Sequence, residues 1–247
     1  MTAGLLRVED LAADRGGRRV LEGVSFTLDA GEVLGVIGES GSGKSTLARA
    51  LLRLVEPARG HAYWKGKDLF AMQERELRQV RRDIQIVFQD PAASFDPRMT
   101  VGSIVAEPLA VHRLPRGRTR VLELLQSVEL GAELLERHPH ELSAGQAQRV
   151  ALARALATRP SLLIADEAFS ALDVSLQAQM SNLVSHQRAA LGIGCLFITH
   201  DLRLAAHLCD RIAVLAAGSL VEIGTPAALI GHAAHAGTRA LVEAARG

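Results

Sequence analysis

Apolar residues fall along the chain in short runs, separated by polar stretches punctuated with glycine, and their period changes from segment to segment. Leu6 to Leu11 and Val20 to Leu28 alternate apolar and polar positions, which predicts strands with one solvated face and an antiparallel edge sheet. Val33 to Ile37 is apolar throughout, as a strand covered on both faces should be. It leads into Gly38-Glu39-Ser40-Gly41-Ser42-Gly43-Lys44-Ser45-Thr46, after which Leu47, Ala48, Ala50, Leu51 and Leu52 recur at helical spacing. Pro57 to Gly60 reads as a turn, His61 to Leu69 as short extended structure, and Glu74 to Arg81 as a charged helix. Ile84 to Gln89 is a second buried strand that ends in a polar side chain.

From about residue 91 to 157 only helical spacing is found, in Val101, Ile104, Val105 and Leu109 and again in Val121, Leu122, Leu124, Leu125 and Val128. The alternation then returns as strand Leu162 to Ala165, helix Leu176 to Leu191, strand Cys195 to Thr199 and helix Leu202 to Leu208. A hairpin, Ile212 to Leu215 and Leu220 to Ile223, turns at Ala217-Gly218, and Thr225-Pro226 starts a last short helix. This order predicts one α/β unit over residues 1–247: a core from 1–90 and 158–224, a helical insertion at 91–157 and a tail at 225–247.

Composition narrows the function. With 48% hydrophobic residues a sizeable core can form, and with 3% aromatics it must be aliphatic. A net charge of +1 predicts no nucleic-acid partner, and Arg113, Arg116, Arg118 and Arg120 read as a solvated loop between helices. Cys195 and Cys209 match no disulfide framework or zinc spacing, which points to a reducing cytoplasm. The start carries no apolar signal segment, and no run is long enough to span a bilayer, so any membrane role must pass through partner subunits.

Three segments carry chemistry. Gly38 to Thr46 fits G-x-x-x-x-G-K-[ST]: the glycines let backbone N–H groups turn inward around phosphate, Lys44 reaches the β and γ phosphates, and Ser45 holds Mg²⁺. Ser161 to Glu167 is a strand that delivers Asp166 and Glu167 at the sheet end where ligands collect, Asp166 for Mg²⁺ and Glu167 for polarising an attacking water. Ser143 and Gln146 stand at capping-box spacing, and with Ala144 and Gly145 they form a second helix start able to face an anion.

In order, the phosphate loop, Gln89, Leu142 to Gln146, the Asp166-Glu167 strand, Ser170-Ala171-Leu172-Asp173 and Thr199-His200-Asp201 resemble the motifs of ATP-binding cassette ATPases. That resemblance implies a P-loop NTPase core with an antiparallel β edge subdomain and an inserted α-helical subdomain. It implies ATP and Mg²⁺ as ligands, and a second ATPase subunit, identical or different, closing head to tail. Ser143, Ala144, Gly145 and Gln146 would then meet the γ-phosphate in trans, and Ser170 and Asp173 would lie at the dimer interface. Gln89 would sense Mg²⁺ and the attacking water, and His200 would touch the γ-phosphate. A groove beside Gln89 would pass motion to membrane permease subunits.

Arg82 to Pro91, Ser94 to Val101, His138 to Ser143 and His235 to Leu241 look like the dipeptide, oligopeptide and nickel importers of this family. They imply peripheral attachment to the inner face of the cell membrane and an extracytoplasmic substrate-binding protein as indirect partner. The competing readings are an accessory ATPase of a soluble complex of the phosphonate-breakdown type and a degenerate subunit that binds ATP without hydrolysing it. The chain departs from the pattern in three places: Ala144 replaces a usual glycine, Ala168-Phe169 replaces Pro-Thr beside the dimer-facing Ser170, and the aromatic ring that would stack on adenine near Arg15 is absent, leaving a guanidinium able to stack on a base face.

Overall fold

A computed structural model describes residues 4–170 and 172–246; the readings that touch Met1 to Ala3, Ala171 and Gly247 lie outside the described residues. Strands β1 (Leu6–Arg15) and β2 (Arg18–Leu28) form an antiparallel hairpin, longer at its tip than the alternation predicts. β3 (Val33–Ile37) follows, buried at every position, and then helix α1 (Lys44–Leu51). β4 (Pro57–Trp64) and β5 (Lys67–Asp68) extend the first sheet to the order β2-β1-β4-β5.

The expected turn at Pro57 to Gly60 is instead the first half of β4. Pro57 opens the strand, where its missing N–H costs least. Gly60, at φ 94°, sits against a register shift in β1, and a Cβ there would lie 2.4 Å from the Asp10 carbonyl oxygen. A bulge therefore accounts for the turn-like residues.

Helix α2 (Glu74–Asp83) leads into β6 (Ile84–Val87), which stops two residues short of the expected Gln89. The insertion contains α3 (Val101–Val111), α4 (Arg118–Ser127) and α5 (Ala144–Leu156), with 3-10 turns at Ala92–Ser94, Ala132–Leu134 and Pro139–Glu141. Arg118 and Arg120 belong to the first turn of α4 rather than to a loop, paired with Glu136 and Glu123. Beyond it come β7 (Leu162–Asp166), α6 (Val174–Leu191), β8 (Gly194–Thr199), α7 (Leu202–Leu208), β9 (Arg211–Ala216), β10 (Ser219–Gly224), α8 (Pro226–His232) and α9 (Ala236–Arg246). The helix α9 carries no counterpart in the sequence reading.

The second sheet has the order β10-β9-β3-β8-β7-β6, parallel except for the β9-β10 hairpin. Alternate residues of its strands enter two different cores. Leu34, Val36, Ile164, Leu196 and Ile198 face α1 and the antiparallel sheet. Val33, Ile37, Leu163, Cys195 and Phe197 face α5, α6 and the tail helices. A strand apolar at every position needs this double cover, and it holds the carboxyl ends of β3, β7 and β8 side by side. Both cysteines are buried and unpaired, and burial pushes the Cys195 thiol up to about 12. No helix among the described residues is long and apolar enough to cross a membrane.

Candidate nucleotide site

The phosphate loop is shaped by close approach. A Cβ on Gly38 would lie 2.2 Å from the Leu215 carbonyl oxygen, and one on Gly43 would lie 2.7 Å from Leu21 Cδ2. Gly43 also caps α1 at φ 107°, where an L side chain is strained, so these two positions admit only glycine. The turn between β9 and β10 braces the loop from outside through Gly218 N–H, which donates to Ser42 O at 3.1 Å. Ser42 Oγ is buried without a hydrogen-bond partner among the described residues, while Glu39, Ser40 and Gly41 form the exposed rim. Thr46 is buried in α1.

Lys44 is 4% exposed, and its Nζ donates to Gly38 O at 2.8 Å and Glu39 O at 2.9 Å. The same nitrogen is 3.6 Å from Glu167 Oε1. Ser45 Oγ donates to Asp166 Oδ1 at 2.8 Å. A hydroxyl and a carboxylate in contact are hard oxygen donors of the kind Mg²⁺ takes, with phosphate oxygens and water completing its shell. No cluster of three His, Cys, Asp or Glu able to hold a metal by itself occurs among the described residues.

Asp166 ends β7 and is 4% exposed. Burial raises its carboxyl above the ordinary value; the Ser45 hydrogen bond and the Arg49 and Lys44 charges oppose this without cancelling it. The folded-state pKa therefore lies above the unfolded one, so the associated stability is full below the unfolded value and lost as pH rises through the folded value. Asp166→Asn should accordingly raise the Tm of the metal-free chain near pH 7, with the gain vanishing near pH 4. Thermal scans across that range without Mg²⁺ check it, and a lowered Tm at pH 7 would contradict the assignment.

Glu167 follows in the left-handed region at φ 49°, a conformation that costs a non-glycine residue about 1 kcal/mol. Its N–H donates to Ile198 O at 2.9 Å, and its carbonyl accepts from Ser170 N–H at 3.1 Å and Ser170 Oγ at 2.9 Å. The bent backbone puts the carboxylate between Lys44 and His200, whose Nδ1 is 3.6 Å from Glu167 Oε2. His200 is half exposed at the end of β8. One cation, two carboxylates, a hydroxyl and an imidazole thus converge from three adjacent strand ends.

Gln89, Ser143 to Gln146 and Asp173 make no described hydrogen bond or ion pair to this group. Gln89 is exposed, two residues beyond the β6 end that pairs beside β7. Ser143 caps α5: its Oγ accepts from Gln146 N–H at 3.2 Å, and its own N–H donates to Gln146 Oε1 at 3.0 Å. Ala144 is the first residue of α5 and is not among the left-handed residues, so the methyl costs no backbone strain. α5 packs on α3, α4 and β6, and no described hydrogen bond joins Ser143 to Gln146 with the phosphate loop. Ser143 and Ala144 are exposed, as is Asp173, which caps α6 by accepting from Leu176 N–H at 2.9 Å.

Phe169 corrects an expectation. Its place beside Ser170 predicts a dimer-facing surface position, yet it is 3% exposed and turned inward onto Phe197. Core packing wins because an aromatic ring on the surface would forgo its burial energy. Arg15 stands exposed at the hairpin tip opposite Arg18, with no side-chain hydrogen bond or ion pair described for either. Cavities of about 420 and 470 Å³ share Arg82 and Asp83, beside the amino-terminal end of β6.

The sequence reading missed the Leu215 and Gly218 braces of the loop, and no local signal could have given them, since they lie more than 170 residues away in the chain.

The family profile described as ABC transporter matches residues 21–170. The oligopeptide transport ATP-binding protein OppF of Escherichia coli (strain K12) is 46% identical over 230 residues, covering 92% of this chain and 69% of its own length. The probable peptide ABC transporter ATP-binding protein y4tS of Sinorhizobium fredii is 47% identical, over 92% of this chain and 65% of its own. Among solved structures, CbiO1 of Clostridium perfringens, part of the ABC transporter complex CbiONQ, aligns with a TM-score of 0.83 at 29% identity, over 93% of this chain and 91% of its own. The dimeric ATP-binding cassette MJ0796 bound to ADP and Pi aligns at 0.80 with 30% identity, over 90% and 98%.

Proposed function

The chain belongs to the ATP-binding cassette (ABC) transporter family of ATPases, and from that we propose that it is the ATP-hydrolysing subunit of a peptide importer. The observation that carries the reading is the convergence of Lys44, Ser45, Asp166, Glu167 and His200 at the carboxyl end of one sheet, with an exposed capped helix start at Ser143 that makes no described hydrogen bond to it. Each chain then holds half of a composite site.

In that site the N–H groups of Gly38 to Thr46 and Lys44 bind the ATP phosphates. At an effective dielectric near 20, one ammonium–phosphate pair about 4 Å apart is worth roughly 4 kcal/mol before desolvation. Ser45 and Asp166, with Gln89, would hold Mg²⁺, which when bound offsets charge on the β and γ phosphates. Glu167 orients and polarises the attacking water, and His200 contacts the γ-phosphate side. Ser143, Ala144, Gly145 and Gln146 of a second ATPase subunit, identical or different, close the opposite face, with Ser170 and Asp173 at the seam. Catalysis is positioning and charge stabilisation.

The names of the relatives favour peptides over nickel chelates as cargo. Membrane permease subunits and an extracytoplasmic binding protein complete the machine, and the chain works peripherally on the inner membrane face. The residues divide by role into a 1–90 and 158–224 core, a 91–157 arm that presents Ser143, and a 225–247 tail.

Reconstitution with the permease subunits it copurifies with tests this. ATP turnover should rise with peptide-loaded binding protein. Stimulation by nickel chelates alone would reassign the cargo, and assembly only with a soluble complex would move the chain to the accessory class.

A further inference from the structure

We propose that Phe169 is a positioning residue for Glu167: its ring, seated on Phe197, holds the left-handed turn that aims the Glu167 carboxylate between Lys44 and His200. The inference rests on Glu167 as the group that polarises the attacking water.

The two ring centroids are 5.5 Å apart with planes at 47°, a tilted pair of the attractive kind, and both rings are essentially buried. Phe169 lies two residues after Glu167, and Phe197 lies three residues before His200. One contact therefore ties together the two segments that supply the carboxylate and the imidazole. Ala168, between Glu167 and Phe169 in the sequence, is buried as well, at 2% exposure.

Glu167 needs such support because φ 49° is not a conformation it holds by preference. Its N–H is fixed to Ile198 O, on the same strand as Phe197, and its carbonyl is fixed by Ser170. The Phe169 carbonyl in turn accepts from Gln177 Nε2 at 3.1 Å and from Leu172 N–H at 3.1 Å. Phe169, buried between these bonded residues, carries the chain into the core beside Phe197. Related ATPases were expected to carry Pro-Thr here; a proline stiffens a turn by fixing its own φ, and in Ala168-Phe169 packing supplies that stiffness instead. The carboxylate sits 3.6 Å from each of its two neighbours, a spacing that a loosened turn would not keep.

Phe169→Leu and Phe197→Leu in the full-length chain test the inference, since both keep an apolar side chain of near volume and remove the ring contact. Each should lower kcat for ATP hydrolysis by about tenfold while KM for ATP stays within about twofold and ATP-dependent dimer formation persists. The double variant should be no slower than the slower single one, because both remove the same contact. A fall in Tm with kcat unchanged would overturn the proposal, as would a rise in KM at constant kcat. Glu167→Gln is the control: normal turnover in that variant sinks the reading of Glu167 itself. Loss of turnover there beside normal kcat in both Leu variants sinks the positioning role alone.

Discussion

Glu167→Gln should stop ATP turnover at the hydrolytic step, by about 10²–10⁴-fold, and accumulate an ATP-bound dimer. The amide has the shape of the carboxylate but cannot draw a proton from water, so the geometry survives while the chemistry does not. The backbone hydrogen bonds to Ile198 and Ser170 do not involve the side chain, so the turn at φ 49° is retained. Binding should hold or tighten, because the Glu167 carboxylate 3.6 Å from Lys44 Nζ competes with phosphate for the ammonium. Single-turnover hydrolysis and the ATP-dependent mass of the particle measure the two halves. Wild-type turnover would remove Glu167 from its role.

Lys44→Ala should fail one step earlier, at binding. The ammonium is buried and bonded to Gly38 O and Glu39 O, so its loss leaves two loop carbonyls and the Glu167 carboxylate without their cation. Roughly 4 kcal/mol of attraction for the triphosphate disappears before the relief of desolvation is counted, which corresponds to about 10²–10³-fold in ATP affinity. Calorimetric titration with ATP and Mg²⁺ checks this, and an unchanged Kd would refute the assignment of Lys44. The Tm should also fall, since buried acceptors are left unpaired. Together the two variants separate binding from turnover, which a single loss of activity could not do.

The residues of the phosphate site were largely legible. Gly38 to Thr46, Asp166 and Glu167 announce themselves because each set follows directly on an apolar run, Val33 to Ile37 or Leu162 to Ala165, of the kind a parallel strand under double cover needs. Ser143 was legible as a cap for a similar local reason: its partner Gln146 is three residues away. What misled was local pattern overruled by distant contacts. Pro57 to Gly60 reads as a turn, but Gly60 answers to Asp10, 50 residues earlier. Phe169 reads as a surface residue from its neighbour Ser170, but it answers to Phe197. Ile84 to Gln89 reads as one strand because apolar character runs on past the last pairing partner of β7.

Local order in the sequence was thus enough to establish the αβ alternation and the helical insertion, and to pick out Gly38 to Thr46, Asp166 and Glu167 as candidate site residues, because hydrophobic period and glycine spacing act over a few residues. Only the tertiary structure decided which way Phe169 points, why Gly38 and Gly43 have no room for a side chain, and that Lys44, Glu167 and His200 meet. Those facts depend on the order β9-β3-β8-β7, and at Gly43 on β2 packed against the loop, which together set residues some 20 to 180 positions apart against one another, and no spacing along the chain encodes that order.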